Sequence, residues 1–285
     1  MLKRHMDKSH KLTLFVLFSL AIMGGLLLWH LHIIGARTEI VFLNVGQGDA
    51  ILITQGKNQI LIDGGRSGKE LLGRLGRHVP FWDRQIEFII ATHPDADHIG
   101  GLPALLRTYQ VNQVLTTGEE SKTETSRLFQ EAIVQSTGHE ALHIARGTKI
   151  SLPYGGELVV EFPLAPLPKE SAETNEGSIV ARFTYGETSF LLTGDLPAEE
   201  SVLPDVAPVT VLKAAHHGSK YSTSKQFLDL VRPKEAIISV GENRYGHPAP
   251  EVLARLRESG TLIHRTDEEG DVRYRCFEQR CAFAK

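Results

Sequence analysis

Apolar positions along this 285-residue chain fall into two periodicities. Short apolar runs bounded by turn residues read as strands at 39–43, 50–53, 59–62, 87–91, 158–162, 179–185 and 189–192. Runs with apolar positions three and four apart read as helices at 69–76, at 126–136 and from about 101, where Pro103 fits a first turn. The last third alternates strand 209–213, helix 224–231, strand 236–240, helix 250–259 and strand 262–265. Two groups of strands with helices outside them predict an α/β sandwich. The final stretch, VRYRC-FEQR-CAFAK, reads as a hairpin, and the polar, Pro-rich segment 163–177 as a long loop of the kind that often carries function.

One run fits neither pattern. Residues 12–34, LTLFVLFSLAIMGGLLLWHLHII, are 23 positions without a formal charge, about 35 Å as a helix and enough to cross a hydrocarbon core of ~30 Å. Lys3, Arg4, Lys8 and Lys11 precede it against Asp7 alone, so the amino terminus is expected in the cytoplasm and the body outside. Trp29, His30 and His32 suit an interfacial end. The competing reading is a cleaved signal peptide, whose apolar run is usually about 7–15 residues and ends at a small-residue cleavage site not evident here. The expected organisation is a basic flank at 1–11, a single-pass transmembrane signal anchor at 12–34 and an extracytoplasmic domain at 37–285. Export would let Cys276 and Cys281 join across the neck of the last hairpin. Beyond residue 35 the net charge is −6. That excludes a broad basic nucleic-acid surface, so any phosphate specificity must come from the site.

The densest chemistry is Thr92-His93-Pro94-Asp95-Ala96-Asp97-His98, directly after an apolar strand. Imidazole and carboxylate in so tight a loop suit Zn²⁺ or Mn²⁺. The competing reading is a solvated loop in which Asp97 caps a helix. Asp195 ends a second apolar strand (LLTGD), and His216 and His217 follow a third (AHHGS). Three strand ends bearing ligand-type residues predict one edge where they converge. A metal pair ~3.5–4 Å apart needs a bridging carboxylate, and Asp195 is the candidate.

Six stretches, FLNVGQGDAILI, LIDGG, THPDADHIGGL, FLLTGD, LKAAHHGSKYSTS and ISVGENRYGHPAPEVLARL, run in this order from residue 40 to about 266. Together they resemble the metallo-β-lactamase superfamily and, within it, the extracytoplasmic hydrolase domain of ComEC-type competence DNA-transport proteins. The resemblance implies a four-layer αββα sandwich with a two-metal site at one sheet edge. Carried over by residue, His93 and Asp95 bind a first metal, Asp97, His98 and His217 a second, and Asp195 bridges. Asp63 would hold the metal loop, with Gln47 and Asp49 near it. His216 would orient substrate or support the ligands, and His247 would contact a leaving group or phosphate oxygen. The catalytic set is thus His216, His247 and Asp97.

The chain departs from the family pattern twice. Asp95 stands where the family has a histidine, and a histidine ligand expected before Asp195 is missing. His139 and His143 come too early to supply it, and Asn175 or Ser178 is a weaker substitute. An oxygen-rich first site makes Mn²⁺ a credible occupant beside Zn²⁺. The implied activity is metal-dependent hydrolysis by a phosphodiesterase or nuclease, linked to extracellular DNA processing or uptake. Lys213, Lys220, Lys225 and Arg244 read either as phosphate contacts or as solvated charge. Alternatives are a surface phosphorylcholine esterase, with Tyr221 or Tyr245 against the choline cation, and a non-catalytic accessory subunit of DNA uptake. β-Lactam hydrolysis fits less well, given the departures. One candidate span is too few for the many-helix channel of the competence proteins.

Overall fold

The computed structural model describes residues 8–35, 37–169 and 173–284. Most of the expected basic flank lies outside the described residues, and so do the side chains of Trp29, His30 and His32. Lys8–Gly35 is one helix, and its described apolar side chains, Leu12 to Leu26, are all exposed. Those described side chains stop short of the end of the uncharged run. Among the described residues no helix is long and apolar enough to cross a membrane.

Two mixed sheets face each other. The first runs Arg280–Ala284, Val272–Phe277, Thr38–Phe42, Ile51–Gln55, Asn58–Ile62, Gln85–Ile90, Gln110–Thr116, Leu142–His143. The second runs Leu262–Arg265, Glu235–Ile238, Val211–Lys213, Thr188–Leu192, Val180–Tyr185, Glu157–Phe162, Lys149–Ser151. Side chains alternate along each strand. Ile40, Phe42, Ile51, Ile53, Ile60 and Ile62 face the second sheet's Phe183, Phe190 and Leu192. Val41, Leu43, Leu52 and Leu61 face outward, onto helices Gly68–His78, Leu102–Leu106 and Glu124–Thr137. The second sheet's outer face packs on Lys225–Val231 and Pro250–Glu258 through Leu191, Leu212, Phe227 and Val252. Strands buried on both faces need apolar residues at every position, which is why they appear in the sequence as continuous runs. The result is the αββα order of layers.

Four strands of the second sheet, Thr188–Leu192, Val211–Lys213, Glu235–Ile238 and Leu262–Arg265, run parallel, as do Asn58–Ile62, Gln85–Ile90, Gln110–Thr116 and Leu142–His143 in the first. Parallel strands release their loops at one end, so the segments after Ile62, Ile90, Leu192 and Lys213 meet. The carboxyl-terminal hairpin forms as expected, with Cys276 opposite Cys281 and a disulfide between them. Three strands were not evident in the sequence: Gln110–Thr116, Leu142–His143 and Lys149–Ser151. The first is a strand because it pairs with Gln85–Ile90; its Asn112 and Gln113 break the apolar run that would have marked it.

Candidate metal centre

The metal loop leaves strand Gln85–Ile90 and turns at once into the short helix Ala96–Ile99. Asp95, not Asp97, holds the N-cap position, without a side-chain capping bond, and Asp97 sits in the first turn. The capping reading of Asp97 therefore fails. Asp63, at φ 59°, anchors the loop from the neighbouring strand end. It accepts from Thr92 N at 2.8 Å, from Thr92 Oγ1 at 2.7 Å and from His98 Nδ1 at 2.8 Å. With its Nδ1 held there, His98 turns Nε2 toward Asp195, 3.3 Å from Oδ2. His217 is fixed likewise, its Nδ1 donating to Ser239 O at 2.9 Å. Its Nε2 lies 3.3 Å from Asp195 Oδ2 and 3.7 Å from Asp97 Oδ2.

His93, His98 and Asp195 form one group of ligand-type atoms positioned to hold a metal, and Asp97, His98 and His217 another. The Nε2 atoms of His93, His98 and His217 are all buried and lack a hydrogen-bond partner. Orphaned buried imidazole nitrogens are costly in a dry interior. Imidazole nitrogens suit borderline ions such as Zn²⁺ and carboxylates suit harder ones such as Mn²⁺, so the residues fit the ions the sequence implies. Asp95 stands at the rim, half-exposed, 3.9 Å from His93 Nε2 and accepting from Thr174 Oγ1 at 2.6 Å. It belongs to neither group. Ser178 does not replace the missing histidine. Its Oγ lies 3.3 Å from His93 Nδ1 and accepts from Asp195 N at 3.2 Å, so it props two candidate ligands. Asn175 Nδ2 is 3.4 Å from His216 Nδ1.

The charge balance points the same way. Lys213 is fully buried, paired with Asp49, 3.6 Å from Asp195 Oδ1 and donating to Gly194 O at 2.8 Å. This corrects both sequence readings of Lys213, as phosphate contact and as solvated charge. Burial would push its ammonium down, but Asp49 and Asp195 hold it above the ordinary value. Burial also works against ionised Asp49, yet Lys213 and His217 bring it to about 2. Asp195 is held well below its ordinary range by His217 and His98, again against burial. His98 is raised, and His217 reaches about 9, because Asp195 and the other carboxylates outweigh burial. His93 is pushed by burial, and by His98 beside it, down to about 3. The centre thus holds more negative charge than its one lysine balances. Protons on His98 and His217 make up the difference, a role that cations on the Nε2 side would take over.

Above the centre lies a cleft of about 350 Å³ lined by Gln47, Arg66, Asp95, Asp97, Thr123, Asp195, His216, His217, Tyr245 and His247. A larger hollow of about 640 Å³, beside Arg146, Phe162 and Leu203, is away from these groups. Arg66, missed in the sequence because it follows LIDGG as an ordinary turn residue, reaches 3.7 Å from Asp97 Oδ2. His247 packs 5.4 Å from the ring of His216, its backbone clamped by Asn243. Burial lowers the pKa of both rings. Lys225 pairs with Asp229, and Lys220 lies over Tyr221, so neither lines the cleft. Arg244 is exposed and outside the lining too. His139 and His143 are likewise absent from the centre.

Residues 43–242 match the model of the metallo-beta-lactamase superfamily. ComE operon protein 3 of Bacillus subtilis is 32% identical over 288 residues, covering 91% of this chain and 36% of that protein. Recombination protein 2 of Haemophilus influenzae is 31% identical, covering 84% and 29%. The chain therefore spans about a third of the length of these curated relatives. Among solved structures, the metallo-beta-lactamase fold protein YhfI of Bacillus subtilis superposes at TM-score 0.55 with 12% identity, covering 84% of this chain and 100% of that one. CmlA, a diiron beta-hydroxylase from Streptomyces venezuelae, does so at 0.52 with 14% identity, covering 87% and 54%. At such identities these two likenesses speak for the fold alone. The chain belongs to the metallo-β-lactamase superfamily and is a homologue of the ComEC-like competence proteins.

Proposed function

We propose that this protein is a metal-dependent phosphodiesterase, most specifically a nuclease acting outside the membrane in DNA processing or uptake. The observation that carries the reading is the convergence of three buried, unpartnered imidazole nitrogens and Asp195 beneath an open, polar cleft. His93 and Asp195, with Asp95 reaching in from the rim 3.9 Å from His93 Nε2, would hold a first divalent ion, and Asp97, His98, His217 and Asp195 a second, Zn²⁺ or Mn²⁺. When bound, such a pair activates water and neutralises charge on a phosphoryl oxygen. The protein's own groups supply orientation. Asp63 and Ser239 O hold the Nδ1 sides of His98 and His217, so both Nε2 atoms face inward. Lys213 keeps Asp49 ionised, and His217 and His98 do the same for Asp195. Arg66, only loosely paired with Asp97, has donors left for a phosphate oxygen. His247, kept neutral near pH 7 by burial, offers one N–H to a leaving-group or phosphate oxygen, and His216 lines the cleft beside it, its ring 5.4 Å away.

Relatives named for competence and recombination support DNA as the substrate class. A smaller choline phosphodiester is the second reading, favoured by the exposed Tyr245 in the cleft. The anchor belongs to the same proposal: the run at 12–34 is uncharged, and the described apolar side chains of its helix are exposed in a way a bilayer would cover. The test uses the full chain in detergent with Mn²⁺ or Zn²⁺, beside Asp97→Ala/His98→Ala. Metal-dependent cleavage of single-stranded DNA, lost in the double variant, is the expected result. Turnover of bis-p-nitrophenyl phosphate alone would move the substrate to a small diester, and turnover of only a β-lactam would overturn the substrate class. A chain that binds no metal and cleaves nothing would be the accessory subunit.

A further inference from the structure

The end of the sandwich opposite the cleft has its own character. Strand Thr38–Phe42 starts there, three residues after the apolar helix stops at Gly35. The turn between Ile51–Gln55 and Asn58–Ile62 lies beside it, with Gly56 N donating to Arg37 O at 3.3 Å. Gln59, at the start of the second of these strands, donates to Asp83 Oδ2 at 3.0 Å, which fixes the loop before Gln85–Ile90 at the same end. The tip of this loop is Phe81-Trp82, exposed by 79% and 72% and packed edge-to-face on each other at 4.8 Å. The last hairpin adds Phe277, 68% exposed, next to the Thr38–Cys276 pair. Arg37, Lys57 and Arg84 are exposed among them.

We propose that Phe81, Trp82 and Phe277 form a membrane-interface contact that seats this end of the domain on the bilayer from which the apolar helix emerges. The inference rests on the anchor reading above. Aromatic side chains prefer the head-group layer, where a ring is covered and its polar edge stays wet, and basic neighbours favour anionic lipid. Exposed rings at the point where a chain enters a bilayer meet that layer without further movement. The consequence is orientation. The cleft opens beyond the other ends of the strands, roughly 20 Å away for a six-residue strand at ~3.3 Å per residue, and so faces away from the lipid.

The chain has two tryptophans, Trp29 in the helix and Trp82 in the tip, and this makes the test selective. Full-length Trp29→Phe and Trp82→Phe are each reconstituted in phosphatidylcholine–phosphatidylglycerol vesicles whose lipids carry bromine near the head group or deep in the chain. Bromine quenches an indole only at close approach. The contact requires Trp82 emission to be lost with shallow bromine, more than with deep bromine. Trp82 unquenched beside quenched Trp29 would overturn the contact and leave the anchor standing. Quenching of neither would remove both. Quenching of Trp82 alone would retire the anchor and, with it, the seating proposed here.

Discussion

Asp63 carries more of the candidate centre than its place in LIDGG announces. One carboxylate takes two donors from Thr92 and the Nδ1 hydrogen of His98, fixing where the metal loop begins and which nitrogen of His98 faces inward. Partners of this kind typically set metal affinity by 10–100-fold. Asp63→Asn is therefore expected to weaken binding at the second site by about that factor, read by competition with a chromophoric chelator. Unchanged affinity would remove Asp63 from the centre's support. Glu199 offers a separate test. It is fully buried, accepts from Thr223 N, and burial pushes its carboxyl from the ordinary 4.5 to about 7. The folded state then holds this proton more tightly than the unfolded chain. Its contribution is complete below pH ~4.5 and is lost as pH rises through ~7, a swing of about 3 kcal/mol. Glu199→Gln keeps an acceptor for Thr223 and removes the titration. Its melting temperature is expected to change less than the wild type's between about pH 5 and 8, and parallel curves would disprove the assignment.

At the scale of elements, the centre depends on loops that touch through backbone. Gly48 adopts φ +135°, and a Cβ there would lie 2.2 Å from Asp97 O, the carbonyl that accepts from Asp49 N. Only glycine lets the VGQGD turn approach the metal loop so closely. Gly48→Ala must displace the loop or strain the turn by about 1–3 kcal/mol. The expected outcome is a folded protein with reduced metal content and activity, measured by metal analysis and diester turnover. Full metal content with wild-type turnover would show that the approach is slack. Most other elements were readable within one or two residues of their observed bounds, because each is apolar on the faces it buries. Gln110–Thr116 was not, since its position next to Gln85–Ile90 rather than its own pattern makes it a strand.

For the whole molecule, the two ends do different work. The disulfide Cys276–Cys281 closes a short loop at the end away from the cleft. A ring of that size removes roughly 2 kcal/mol of unfolded-state freedom. Reduction is expected to lower stability by about that amount in a urea titration while leaving diester turnover intact. Loss of turnover without unfolding would show that the hairpin reaches the site.

The order of strands, the layer class and the ligand-type residues were legible along the chain, because apolar runs and the groups that follow them are local patterns. His93, Asp97, His98, Asp195 and His217 could be named because each sits at or just beyond an apolar strand, and parallel strands deliver their ends to one edge. What could not be read was which charges are buried. Lys213 looks in the sequence like any basic residue after a strand. It becomes the cation of the centre only because the second sheet brings it to Asp49 on the first. Arg66 enters the cleft because neighbouring strands of the first sheet bring its loop to Asp97, and Asp95 is held at the rim by Thr174. Burial and pairing of charge belong to surfaces that exist only once the two sheets close on each other, and residues more than a hundred positions apart carry no mark of that meeting.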